Sequence, residues 1–185
     1  MTLQQFKINL SSLRKNVYSP SLDLIPKQGR DLPRCEIDFV WVISEPYPEK
    51  SVVIIGECKD QGGQNLGRRT STIDATDIEH LRCVADALPR KRFSTYIVLA
   101  KLCPFTAEEI ELAKTLNDRY QRRTILLTAR ELEPYHFYER TILEFKDINH
   151  YGGTPEDLAN NTAMMYFNEP ERRSALKESC DLHDS

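Results

Sequence analysis

The apolar positions of this chain switch between a period of two and a period near 3.6, and the switches mark its elements. In Ile37-Asp-Phe-Val-Trp-Val-Ile43, residues Ile37, Phe39, Trp41 and Ile43 share one face, and Asp38, Val40 and Val42 share the other. β-branched and aromatic residues dominate, which predicts a strand with two partly buried faces. Two prolines break it at Ser44–Lys50, and Val52–Lys59 is a second strand, so the pair reads as an antiparallel hairpin. Thr76-x-x-Glu79 has the form of a capping box ahead of Ile78, Leu81, Val84 and Leu88, which fall on one helical face, and Pro89 stops that helix. Ser94–Ala100 is a third strand. Thr106-x-x-Glu109 opens a helix through Ile110, Ala113, Leu116 and Tyr120, and Thr124–Thr128 is a fourth strand. Pro134 at a first-turn position begins a helix to about Phe145, and Thr154 with Pro155 begins another to about Phe167.

The ends are less patterned. Leu3, Phe6, Leu10, Leu13 and Val17 fit a loose helical stripe, Leu22–Ile25 a short strand, and Gln28–Pro33 a turn. Gln61–Gly67 is a glycine-rich loop, and the polar stretch from Asn168 is expected to fray. From residue 52 to 128 the order is βαβαβ, which predicts an α/β fold with a mixed sheet flanked by helices. Residues 1–167 are expected to form a single domain with its core at about 20–130, and 168–185 a C-terminal tail.

Composition narrows the class. Among 185 residues, 25 Lys and Arg face 28 Asp and Glu, for a net charge of −3, which excludes a protein that coats nucleic acid by bulk charge. The apolar runs fall far short of the roughly 20 residues a membrane-spanning helix needs, and the first ten residues lack the apolar core of a signal peptide. Five cysteines without a C-x-x-C pair argue against a disulfide framework or a zinc ribbon. The expected setting is a reducing cytoplasm, with no membrane partner.

The chemistry concentrates at Asp38, Glu57 and Lys59. Glu57 and Lys59 point to the same face at the end of a very apolar strand, roughly 6.5–7 Å apart, with Cys58 on the opposite face. If the hairpin sets Asp38 across from Glu57, two carboxylates and one ammonium converge. Two close carboxylates repel unless a cation lies between them, and an all-oxygen donor set without His favours Mg²⁺ or Mn²⁺ over zinc. The backbone carbonyl of Cys58 is a candidate third metal ligand, and Lys59 is placed to hold a water or phosphate oxygens. That is a plan for hydrolysing a phosphodiester.

The arrangement resembles the PD-(D/E)XK nucleases, which have the restriction-endonuclease-like fold. The matching residues are Ile37-Asp-Phe-Val-Trp41 for the first acidic position and Gly56-Glu-Cys-Lys59 for the E-x-K half. The strand–strand–helix–strand order from 35 to 100 matches as well, and the resemblance covers about half the chain. It implies that Asp38 and Glu57 bind the divalent metal and that Lys59 assists the nucleophile. It also implies a nucleic-acid substrate, DNA before RNA, and work as an effector in restriction, phage defence or repair. The sequence departs from the family in one respect: residues 1–34 contain no Glu, only Asp23 and Asp31. The acid is missing, or Glu36 replaces it, or a partner segment carries it, and one metal or two stays open.

Around this core, Glu36, Gln61 and Gln64 are candidate supporting residues, and Arg68, Arg69 and His80 candidate phosphate contacts. Arg90-Lys-Arg92 and Arg122-Arg123 read as solvated faces, and Tyr135, Phe137 and Tyr138 as core or interface aromatics. With so little net positive charge, substrate capture is expected to draw on another domain or subunit, or on a homo-oligomer. Two other readings stay open: a nuclease-fold module that binds without cleaving, and a generic α/β domain whose E-x-K is accidental.

Overall fold

The computed structural model of the protein describes residues 2–10, 15–26, 34–44, 49–59, 72–132, 136–144 and 152–168. Its frame is a five-stranded mixed sheet in the order β1-β2-β3-β4-β5, with β1 at Asn16–Leu24, β2 at Cys35–Ile43, β3 at Ser51–Lys59, β4 at Phe93–Lys101 and β5 at Thr124–Leu127. The first three strands are antiparallel neighbours, and β3, β4 and β5 run parallel. Parallel neighbours need crossovers. Helix α2 (Ala75–Ala87) supplies the first and α3 (Ala107–Arg119) the second. Both cover one face of the sheet, where Val53, Ile55, Ile97, Leu99 and Leu126 meet Ile78, Leu81 and Leu116. On the other face Phe39, Trp41, Ile54, Val98 and Ile125 pack against α1 (Thr2–Leu10) through Phe6 and Leu10. Phe137, Tyr138 and Leu158 of the C-terminal third complete that layer.

Four expectations are corrected. Ile37 does not share a face with Phe39, Trp41 and Ile43: it packs in the core on the α2 side and they pack on the α1 side, a break in alternation next to the left-handed Ser21. The N-terminal helix ends at Leu10, and Val17 belongs to β1, a nine-residue strand where only Leu22–Ile25 was expected. Pro20 hides it, since proline reads as a strand breaker; it is tolerated here because β1 is an edge strand. Helix α2 starts two residues early: its capping box is Asp74 with Asp77, not Thr76 with Glu79. A helix running unbroken from Pro134 to Phe145 is not found. Short α4 (Ala129–Leu132) is followed by α5 (Glu139–Glu144), and Tyr138 just before α5 has φ 65°, which no continuous helix permits. The boxes at Thr106/Glu109 and Thr154/Asp157 form as patterned, the latter opening α6 (Pro155–Tyr166).

The β5 edge is closed by side chains. The Leu126 N–H donates to Thr162 Oγ1 at 3.0 Å, and the Leu126 carbonyl accepts from the Tyr138 hydroxyl at 3.2 Å. Backbone groups that a sixth strand would otherwise satisfy are thus paired inside the core.

Gly56 shows how tightly β2 and β3 fit. It lies opposite Phe39, and a Cβ there would come 2.2 Å from the Phe39 ring. Phe39 is 1% exposed and has nowhere to retreat. Gly56→Ala is therefore expected to destabilise the fold by about 1–3 kcal/mol, as overpacked cores do. Urea unfolding measures this, and an unchanged midpoint would mean the ring is free to move.

Candidate active site

The β2–β3 ladder stops at the pair Phe39–Gly56, one position short of Asp38 and Glu57. Two acids facing each other across a ladder repel, which favours opening the pair there. The Asp38 carboxylate instead reaches β3, and its Oδ2 accepts the Cys58 N–H at 2.6 Å. It takes over a backbone donor that the ladder no longer serves. On the other side of Asp38 the β1 backbone is distorted, with Ser21 at φ 46° between the paired positions Pro20–Phe39 and Leu22–Ile37.

Glu57 and Lys59 share the α2 face, as their spacing predicts. Lys59 Nζ donates to Glu57 Oε1 at 2.7 Å and to Asp77 Oδ1 at 2.9 Å. All three side chains are largely sheltered, at 19% exposure for Lys59, 15% for Glu57 and 16% for Asp77. Burial pushes the Glu57 carboxyl above its ordinary range, the Lys59 hydrogen bond opposes this, and the charge of nearby Asp38 adds to the rise. Burial works against the Lys59 ammonium, but hydrogen bonds to Glu57 and Asp77 outweigh it and raise its pKa.

Asp77 is the member that the sequence pattern missed. It is the third residue of α2, and its two oxygens divide the work: Oδ2 accepts the Asp74 N–H at 3.0 Å in the capping box, while Oδ1 holds Lys59. Two carboxylates thus hold one ammonium, and the charge of Asp38 reaches Glu57 as well, a local surplus of negative charge.

Cys58 points away from them. Its Sγ lies 3.7 Å from Thr2 Oγ1 on the α1 face, and burial pushes the thiol up to about 11, well out of the nucleophilic range. A cavity of about 460 Å³ opens at this end of the sheet between α1 and the ends of β3 and β4, with Thr2, Leu3, Asp38, Cys58, Lys59 and Leu102 in its wall.

The remaining candidates are spread out. Glu36 is exposed on β2, where its Oε1 accepts the Ser21 hydroxyl at 3.2 Å. His80 is partly exposed on α2, one turn beyond Asp77 and so on the same side of the helix. Gln61, Gln64, Arg68 and Arg69 lie outside the described residues.

The donor chemistry fits a hard cation. Asp38 and Glu57 offer oxygens only, their charges interact, and Lys59 offsets that of Glu57. Among the described residues no three His, Cys, Asp or Glu side chains gather closely enough to cage a metal. Two carboxylates with a carbonyl suit Mg²⁺ or Mn²⁺, of which Mg²⁺ in particular keeps several waters and leaves sites for phosphate oxygens.

The fold and this strand end define an α/β domain with an acidic, lysine-bearing cleft. No family model matches the chain, and no curated protein does. Among solved structures, it bears a slight likeness to the MspJI restriction endonuclease in complex with a 27-mer oligonucleotide: TM-score 0.34, 16% identity, over 87% of this chain. The chain spans 31% of the length of that protein. Among the described residues, no helix is long and apolar enough to cross a membrane.

Proposed function

We propose that this chain is a metal-dependent endonuclease that hydrolyses phosphodiester bonds, DNA before RNA, as the effector domain of a restriction, phage-defence or repair system. The observation that carries the reading is the meeting of Asp38, Glu57 and Lys59 at one strand end beside an open cavity. The preference for DNA rests on the PD-(D/E)XK pattern of those residues.

Asp38 and Glu57, with the Cys58 carbonyl, would hold Mg²⁺ or Mn²⁺. Bound there, the metal would supply charge neutralisation at the phosphate and acidify a water. The protein's own share falls to Lys59. Its ammonium can donate to the attacking water or to a phosphate oxygen, where negative charge grows in the transition state. The Glu57 carboxylate it touches would also hold the metal, so Lys59 would share that partner with the cation. Asp77 keeps the other hold and stops the side chain from swinging into solvent. His80, Arg68 and Arg69 are proposed to meet the flanking phosphates, with Glu36, Gln61 and Gln64 in support. Another domain or subunit is proposed to bring the substrate.

The rival is a binding module that has lost cleavage. The observation favouring it is that both acids nearest Lys59 are already engaged by it.

Two measurements on the full chain decide. Calorimetric titration with Mn²⁺ should show binding that Asp38→Asn and Glu57→Gln each weaken. Incubation with plasmid and with single-stranded DNA and RNA should show cleavage with Mn²⁺ and none with EDTA. Metal binding without cleavage of any substrate would favour the binding module, and absence of metal binding would sink both the metal site and the nuclease.

A further inference from the structure

A second cavity, of about 250 Å³, lies at the opposite end of the sheet. The amino-terminal ends of the parallel strands frame it: Lys50 precedes β3, Phe93 begins β4 and Arg123 precedes β5. The ends of α2 and α3 close it with Arg90, Arg119 and Tyr120. Four cationic side chains therefore line one small hollow, in a chain whose net charge is −3.

Two of the four have a structural explanation. Asp86, near the end of α2, accepts Arg119 at 2.6 Å, Arg90 at 3.3 Å and the Tyr120 hydroxyl at 2.8 Å, and Arg82 lies 3.5 Å away. One carboxylate is thus shared by three guanidinium groups. The other two cations are not explained that way. Among the described residues neither Lys50 nor Arg123 has a carboxylate within ion-pair distance. Arg123 is held over the Tyr96 ring, 5.8 Å from its centre, by a turn in which Gln121 and Arg122 both take positive φ, 58° and 62°. Left-handed backbone at two successive non-glycine residues is uncommon and costs energy. Here it delivers a guanidinium to the cavity wall.

We propose that this cavity binds a phosphomonoester group, with Lys50 and Arg123 as its main contacts and Arg90 and Arg119 at its rim. Lys50, Arg90, Arg119 and Arg123 line the hollow with Asp86 at its edge, and Glu156 and Asp157 act only from beyond Tyr96, so its wall carries an excess of positive charge. A dianionic monoester matches that excess better than a monoanionic diester, and guanidinium forks suit its oxygens. The volume falls below the roughly 300–1,000 Å³ of ordinary ligand pockets, so it suits a phosphate with its sugar and no larger body. The phosphate is not the one to be cleaved. From Phe93 at this cavity to Lys101 beside Lys59, β4 spans about 26 Å. The inference stands apart from the nuclease reading. The same chemistry has two sources, a free nucleotide and the 5′-phosphorylated end of a strand.

The test is calorimetric binding by the full chain of inorganic phosphate, a nucleoside 5′-monophosphate, and a short oligonucleotide with either a 5′-phosphate or a 5′-hydroxyl. Sodium chloride at matched ionic strength serves as the control, and EDTA excludes metal. Binding of the monophosphate and the 5′-phosphorylated strand alike assigns the site to the phosphate alone, and binding of one of them names the source. Lys50→Ala with Arg123→Ala should weaken binding at least about tenfold. Lys50→Glu, at an exposed position, should do so with an unchanged thermal midpoint. Equal binding to the 5′-hydroxyl strand, no binding of any phosphate compound, or unaltered affinity in Lys50→Glu would overturn the proposal.

Discussion

Lys59→Ala is expected to lower kcat for phosphodiester cleavage by roughly a hundred- to a thousand-fold, the loss seen when a transition-state donor is removed. Mn²⁺ binding should not weaken. Lys59 offers no metal ligand, and its ammonium holds one of the two oxygens of Glu57, a carboxylate that would hold the cation. Removing a competitor leaves the carboxylates at least as ready for a cation. Asp77→Asn provides the companion measurement. The amide can still accept the Asp74 N–H and keep the helix cap, but it no longer offers Lys59 a charge. Turnover should fall by about ten- to a hundred-fold, as when a group supporting an active side chain is removed. Asp77→Glu, which keeps both charge and capping ability, should recover part of it. Cleavage assays and Mn²⁺ titrations on the three variants separate the roles. Undiminished cleavage by Lys59→Ala would reduce the E-x-K to a strand-end ion pair.

Glu109→Ala should produce the largest loss of stability, about 3–5 kcal/mol, because it strands a buried charge. Glu109 is 1% exposed and Lys101 6%. The Lys101 ammonium donates to both carboxylate oxygens, at 2.8 and 3.0 Å. The same carboxylate accepts the N–H of Thr106 at 2.7 Å and of Ile73 at 2.8 Å. Burial alone would raise the Glu109 pKa, but Lys101 and the two backbone donors outweigh it and hold the pKa below the usual 4.5. The dependence on pH follows. Above the ordinary carboxylate pKa both folded and unfolded chains are ionised, and the full contribution is present. As pH falls, the unfolded chain takes up its proton first, so stability drains away until the native carboxyl is protonated too. Urea unfolding across acid pH should show this slope in the parent and a shallower one in Glu109→Gln. Pairing Glu109→Leu with Lys101→Met should return much of the loss, less the share owed to the Thr106 and Ile73 donors. If Glu109→Ala unfolds at the parent's midpoint, the pair is not the clamp described.

The strands that carry the acids were readable because both of their faces are patterned. Alternation in β2 from Phe39 to Ile43 and the apolar run of β3 need no tertiary information, and neither does the same-face spacing of Glu57 and Lys59; Ile37, which packs on the other side, was misread. Asp77 was not readable, because its partner lies 18 residues away and the competing box at Thr76 and Glu79 fits the same pattern. Cap registers two residues apart look alike until a neighbour chooses between them. Glu109 could be read as a capping residue and not as half of a buried pair, since nothing local marks Lys101 as enclosed. β1 escaped because Pro20 and the left-handed Ser21 break its alternation beside Asp38.

The closed margin at β5 bears on how copies of this chain can associate. Tyr138 and Thr162 occupy the Leu126 backbone groups there, and Thr162 Oγ1 lies 3.0 Å from the Tyr138 hydroxyl, so the two hold each other in place. The other margin, β1, carries exposed Val17 and Tyr18 and pairs only with β2 among the described residues. A sheet that can accept a strand at both margins can grow without limit. Among the described residues this one offers a single margin, and two copies joined β1 to β1 about a twofold axis would leave none. Strand addition at β1 would therefore terminate at a pair, a limit on fibre growth set by the closed margin at β5.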